Sequence, residues 1–192
     1  MAKKSARTPL AVDKSNTPAW MRVVINILVI AFGGAGIAVV AAGVSGGGAG
    51  SNSGGTTAQG DTITAQFQPR VDSAVAAANS SPDNPAVVIQ VGHAYFEWAV
   101  ALYESGQIPA SIPMWLSAVS YYDQVLEIDP EDDIALGNRA FALYYAQDSR
   151  AIEGLRAFID GAADNPDLAQ QVDNANGMLA ELEASAIATT TP

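Results

Sequence analysis

The 192-residue chain contains no cysteine, a single histidine (His93) and only 15% charged residues, against roughly 25% in an average soluble domain. The absence of cysteine excludes disulfides, thiolate zinc sites and cysteine catalysis. One histidine leaves little for a His-rich metal site or a Ser-His-Asp triad. The net charge of −11 argues against nucleic-acid binding, which usually requires a basic patch. We therefore expect no enzymatic activity, no metal, no cofactor and no nucleic-acid partner.

The few basic residues are concentrated at the N-terminus, ahead of a long apolar run. Residues 1–22 hold five of the nine basic residues, and no lysine follows Lys14. The run Val23–Val44 has Asn26 as its only strongly polar member. A helix of this length spans roughly 33 Å, close to the ~30 Å thickness of a bilayer's hydrocarbon core. This pattern predicts a transmembrane helix over residues 23–44.

Two alternatives to a transmembrane anchor are a buried core helix and a cleaved signal peptide. A helix that is apolar all round needs a large protein to surround it. A signal peptide has a typical apolar region of roughly 7–15 residues, which is shorter than this run, although Ala41 and Ala42 offer small residues near a cleavage region. We favour an uncleaved anchor. Lysine and arginine near a span favour the cytoplasmic side, so residues 1–22 are predicted to be a cytoplasmic arm, with the rest of the chain outside the membrane.

Beyond the apolar run, the composition predicts a tether, a folded domain and a short tail. Residues 45–60 are dominated by glycine and serine, which is typical of a flexible linker. Residues 61–187 carry apolar side chains at three- to four-residue spacing, which predicts helices. Residues 188–192 are predicted to be a disordered tail. The overall prediction is an all-α protein.

The helical part resembles the tetratricopeptide repeat (TPR) family. Asn84-Pro85, Asp129-Pro130 and Asn165-Pro166 punctuate it at intervals within the range typical of repeats. The segments that carry the resemblance are PAVVIQVGHAYFEW (85–98), SAVSYYDQVLEIDP (117–130), IALGNRAFALYYA (134–146) and AIEGLRAFI (151–159). The resemblance implies a short solenoid of helical hairpins, with Gly92 and Ala140 at the small positions where paired helices cross. Flanking helices at 69–79 and 166–184 are expected to complete the array.

Two features depart from the family pattern. The first unit carries extra residues, which predict two lengthened helices joined by a proline-containing loop at Gly106–Pro113, with Trp98 and Trp115 beneath it. The turn of the second unit, Gln147–Arg150, lacks the usual glycine.

The resemblance also implies a peptide-binding groove lined by the first helix of each unit. The predicted groove residues are Ile89, His93, Phe96, Glu97, Ile134, Phe141, Tyr144 and Tyr145. The sequence is compatible with two alternatives, a face that is open to a ligand and a face that neighbouring helices cover. The implied function is a membrane-anchored scaffold that binds another protein, for example in the assembly of an envelope complex such as cytochrome c maturation. The alternative is a structural protein that self-assembles into an oligomer, for which Gly34, Ala38 and Ala42 offer a close helix contact.

An acidic run at Asp129–Asp133 allows two interpretations. Oxygen-rich loops can bind calcium, but this run lacks the glycine and the later glutamate of an EF-hand. Acids after a proline stop can also cap the next helix and favour its dipole. We favour the capping role.

Overall fold

The computed structural model describes residues 55–190, with side chains from residue 59 to residue 187. This part of the chain is helical and contains no strand, which confirms the all-α prediction. Its α-helices are α1 (Gly55–Ser80), α2 (Pro85–Glu104), α3 (Ile108–Ile128), α4 (Asp133–Tyr145), α5 (Ala151–Gly161) and α6 (Ala169–Thr190), and a 3₁₀ helix (Pro166–Leu168) leads into α6. None of these helices combines the length and the apolar character needed to cross a membrane. The predicted arm, the predicted span at 23–44 and the linker up to residue 54 lie outside the described residues.

The helical domain is longer at both ends than the sequence predicts. Helix α1 begins at Gly55, so residues 55–60 of the predicted linker are helical. Gly60 is buried, and its backbone closely approaches the end of the Gln107 side chain. At the other end, α6 continues through Thr190, into the predicted tail. Composition did not reveal the N-terminal extension because a glycine that makes a tertiary contact has the same local signature as a glycine in a linker.

The helices pack chiefly in chain order, each against the next. Helix α1 packs chiefly on α2, where Phe67 and Val71 join Ala94, Trp98 and Leu102 in a separate small cluster. The main core lies between α2, α3, α4, α5 and α6. Trp115 belongs to this main core, whereas Trp98 faces α1. Stacking of this kind lets a chain bury apolar faces that no single pair of helices could cover.

The two hairpin turns share one backbone motif. After α2, the Gly106 N–H donates to the Tyr103 carbonyl and the Gln107 N–H donates to Leu102. After α4, the Gln147 N–H donates to Tyr144 and the Asp148 N–H donates to Leu143 in the same pattern. Both are Schellman-type helix ends, which place a residue in the left-handed region. Gly106 has φ 81° and Gln147 has φ 56°, so Gln147 occupies the position of the glycine that the sequence lacks.

The loop between α2 and α3 is shorter than predicted. It comprises residues 105–107, and the predicted loop residues from Ile108 to Pro113 belong to α3. Pro109 lies in the first turn of α3, where a helix has no partner for the missing N–H. Pro113 lies one turn later, inside the helix.

The acidic run before α4 acts as a helix cap. The Asp132 side chain accepts a hydrogen bond from the Ala135 N–H at 2.8 Å, and Asp133 lies in the first turn. Asn84 caps α2 in a related way through the Ala86 N–H. These contacts agree with the capping interpretation of the acidic run.

The close helix crossings correct the predicted register of the second unit by three residues. A Cβ atom on Gly92 would lie 2.7 Å from Tyr122, and one on Gly137 would lie 2.9 Å from Phe158. Gly137, rather than Ala140, therefore matches Gly92, since both glycines stand seven residues after a proline and face an aromatic ring on the next helix. One helical turn separates the two registers, and both place a small buried residue at the crossing.

Adding a methyl group at Gly92 tests the close crossing. Because the new Cβ would overlap the buried Tyr122 ring, we expect Gly92→Ala to lower the free energy of unfolding by about 1–3 kcal/mol. Gly177, inside α6, is the matched control, since a Cβ there meets nothing within 4 Å. Gly177→Ala should raise stability by about 0.5–1 kcal/mol through helix propensity. Urea denaturation measures both, and equal stabilisation by the two variants would contradict the crossing.

Candidate protein-binding site

The structure buries half of the predicted groove residues in the core. Ile89, Phe96, Phe141 and Tyr145 are each less than a tenth exposed. The Phe96 ring meets Trp115 edge-on at 4.8 Å, and the Phe141 ring meets Phe158 edge-on at 5.7 Å. These four side chains therefore do not form an open groove. The physical reason is that the Phe96 and Phe141 rings face the second helix of their own hairpin, so they lie in its interior.

His93 and Glu97 are only partly buried and line a cleft between α1 and α2. This α1–α2 cleft has a volume of about 520 Å³ and is also lined by Arg70, Ser73 and Gln90. Arg70 forms an ion pair with Glu97 at 2.6 Å across it. Burial nevertheless raises the pKa of Glu97, and the Arg70 charge opposes that rise. The α1 helix thus covers the part of α2 where the sequence predicts a groove.

Three polar side chains cluster where α2, α3 and α4 meet. The His93 ring lies 5.9 Å from the Tyr122 ring, and Asn138 stands at the position in α4 that His93 holds in α2. Tyr122 and Asn138 are fully buried. The His93 Nε2, the Tyr122 hydroxyl and the Asn138 amide atoms make no well-formed hydrogen bond with the described protein atoms. Burial raises the pKa of Tyr122. Burial also lowers the pKa of His93 to about 4, although the negative charge of Asp132 opposes this shift.

The depressed pKa of His93 predicts acid sensitivity. Between pH 6.5 and 4 the unfolded chain binds a proton at this residue and the folded chain does not, so stability is present above pH 6.5 and is lost as the pH falls. We expect the free energy of unfolding to drop by about 2 kcal/mol between pH 7.5 and 5.0. His93→Gln should flatten this dependence, because the chain has no other histidine. Urea denaturation at the two pH values measures the change in the free energy of unfolding. The same change in His93→Gln would show that another group causes the pH dependence.

A second cleft lies at the other end of the domain, and it contains two of the predicted groove residues. We name it the tyrosine pocket, because Tyr103, Tyr144 and Tyr145 line it. Its volume is about 540 Å³. The end of α2, the turn between α4 and α5, and helix α6 form its walls, and α6 contributes Glu181 and Leu182.

The three tyrosine rings in this pocket are packed at steep angles. The Tyr145 ring lies 5.2 Å from Tyr103 and 5.3 Å from Tyr144, at interplanar angles of 68° and 89°. On its other side Tyr145 stacks on the buried Trp115 at 5.3 Å. Tyr103 and Tyr144 are only partly buried. The core therefore holds Tyr145 in place, and Tyr103 and Tyr144 reach the surface.

Hydrogen bonds and ion pairs fix the polar wall of the pocket. The Tyr144 hydroxyl donates to Glu181 Oε2 at 2.8 Å. Asp148 accepts from Arg150 Nε at 2.9 Å, and these hydrogen bonds lower the pKa of Asp148 to about 2. Burial and the nearby Glu181 raise the pKa of Tyr144 to about 12. At neutral pH an un-ionised Tyr144 thus lies in the same pocket as an ionised Asp148.

Comparison with known proteins finds no matching family model, no matching curated protein and no matching solved structure.

The sequence pattern predicted part of this site and missed the rest. Tyr144 and Tyr145 were expected on a binding face, whereas Tyr103, Asp148 and Glu181 were not. Ile134, the remaining predicted groove residue, is partly buried against the main core and does not line the pocket. Tyr103 and Tyr144 hold equivalent positions, three residues before the left-handed residue of their turns. This equivalence is the sequence signal that could have identified Tyr103. In residues 59–187, no group of three or more histidines and carboxylates is placed to hold a metal ion.

Proposed function

We propose that this protein is a non-catalytic scaffold that binds another protein through its C-terminal helical domain. Two features of the fold repeat from one helical hairpin to the next. The pairs Gly92–Tyr122 and Gly137–Phe158 repeat one crossing, and the turns at Gly106 and Gln147 repeat one helix end. Repeated helical hairpins characteristically serve as binding surfaces for other proteins.

The tyrosine pocket is the observation that carries the proposal. Tyrosine is enriched at protein interfaces because it offers a large apolar ring together with a polar tip. Here two partly exposed tyrosines surround a third that the core holds rigidly. A preorganised aromatic surface of this kind loses little entropy on binding.

The proposed location is the outer side of a membrane, with residues 23–44 as the anchor and residues 1–22 in the cytoplasm. The support is the uneven distribution of basic residues along the chain. Residues 1–22 contain five of the nine basic residues, whereas the chain after residue 22 contains four arginines and 19 acids. A part in assembling an envelope complex, such as cytochrome c maturation, stays a prediction from the family resemblance.

Photo-crosslinking from the pocket tests the proposed function. A photoreactive amino acid replaces Ser149, an exposed residue that lines the tyrosine pocket, in the full chain within its native membrane. The control position is Gln170, which is exposed on α6 and does not line the pocket. We expect one crosslinked protein from position 149 and none from position 170. Crosslinking to a second copy of the chain would support the self-assembling alternative, and equal products from both positions would reject the pocket as the binding surface.

A further inference from the structure

Glu181 is the one carboxylate of the tyrosine pocket without a basic partner. The described part of the chain has four arginines, and each already forms an ion pair with another carboxylate. These pairs are Arg70–Glu97, Arg139–Asp123, Arg150–Asp148 and Arg156–Glu183. Within residues 59–187, Glu181 receives a hydrogen bond from Tyr144 and no salt bridge. Among residues 59–187, the structure thus gives Glu181 no basic partner.

The faces of the tyrosine rings add a second attraction for a cation. An aromatic face carries partial negative charge and attracts a cation placed within about 6 Å of the ring centroid. Tyr144 stands almost perpendicular to Tyr145, and Tyr103 is steeply tilted to it on the other side. Rings at such angles form a corner rather than a flat stack. Tyr144 also stays un-ionised and keeps donating to Glu181, because its pKa is raised to about 12.

We infer that the tyrosine pocket binds the guanidinium group of an arginine side chain on the partner protein, an inference that rests on the proposed function. A guanidinium is planar, stacks on aromatic faces and donates two parallel hydrogen bonds to a carboxylate. The pocket, of about 540 Å³, supplies both the rings and a carboxylate that has no basic partner among residues 59–187. The acidic balance of the domain would further attract a basic segment. Lysine has a compact, strongly hydrated ammonium group, which gains less from the stacked rings.

NMR with ring-labelled tyrosine tests this inference in the full chain in detergent micelles. The probe is N-acetyl-arginine methylamide, and the matched control is N-acetyl-citrulline methylamide, which has nearly the same shape and no charge. The chain has six tyrosines. Three of them line the pocket, and Tyr95, Tyr121 and Tyr122 lie outside it as internal references.

The arginine probe should shift the ring signals of Tyr103, Tyr144 and Tyr145 and leave the reference signals unchanged. The citrulline probe should bind at least about tenfold more weakly, and Glu181→Gln should weaken arginine binding by about five- to tenfold. The lysine analogue should bind more weakly than arginine. Equal binding of arginine and citrulline, or no change of the pocket signals while the reference signals show a folded protein, would overturn the inference. The NMR result does not depend on the crosslinking result. Failure of the arginine inference, in which the pocket does not discriminate charge, is therefore distinguishable from failure of the proposed function, in which the protein binds no partner.

Discussion

Replacing Phe141 by alanine should lower the free energy of unfolding by about 3–5 kcal/mol. The ring is fully buried and packs edge-on against Phe158 between α4 and α5. Its removal would leave a cavity in the main core that the surrounding helices can fill only in part. Thermal and urea denaturation of the purified full chain measure the loss.

Tyr144→Phe is the matched control for Phe141→Ala. It keeps the ring and removes only the hydroxyl that donates to Glu181, so we expect a cost of about 0.5–1.5 kcal/mol. The comparison decides between a covered face and an open groove. If Phe141→Ala lowers the free energy of unfolding by less than about 1 kcal/mol and abolishes partner binding, Phe141 lies on an open binding face.

Ending the chain after Asn165 should remove cooperative unfolding altogether. Leu168, Ala175 and Met178 are buried against the main core and would be lost with α6. Burial of a leucine or methionine side chain contributes about 1.5–3 kcal/mol each, so the loss, roughly 5 kcal/mol, approaches the total stability of a small domain. The exposed faces of α4 and α5 would then have no neighbour to cover them. Far-UV circular dichroism during heating measures the transition.

Glu183→Gln is the control for the truncation, since it removes only the exposed ion pair with Arg156. Such pairs contribute about 0–1 kcal/mol, so the variant should melt nearly as the wild type does. A truncated chain with an unchanged cooperative transition would show that α6 is not part of the core.

The sequence predicts the helices well where local signals mark their ends. Asn84-Pro85 and the acids after Pro130 act through contacts within a few residues, and the structure places caps at Asn84 and Asp132. Gly92 was identified as a close crossing, and the ring of Tyr122 confirms it. These features depend on local chemistry, so a linear pattern is sufficient to find them.

The features that the sequence missed depend on contacts between distant segments. Residues 140 and 137 are both small and lie one turn apart, so spacing alone could not choose between them, and only the position of Phe158 decides. The tyrosine pocket joins Tyr103 on α2 to Glu181 on α6. Their pairing follows from how the helices stack, which the sequence leaves open at the ends of a short array.

The proposed scaffold function is tested most directly by the affinity of the partner identified by crosslinking for variants of the full chain. Tyr103→Leu removes a partly exposed ring from the tyrosine pocket, and Tyr121→Leu removes a partly exposed ring on α3 that stacks on Tyr95 outside it. Tyr103→Leu should weaken binding by about tenfold or more, with a melting temperature close to that of Tyr121→Leu, which should bind normally. Equal affinities for the two variants would contradict the proposed binding through the tyrosine pocket.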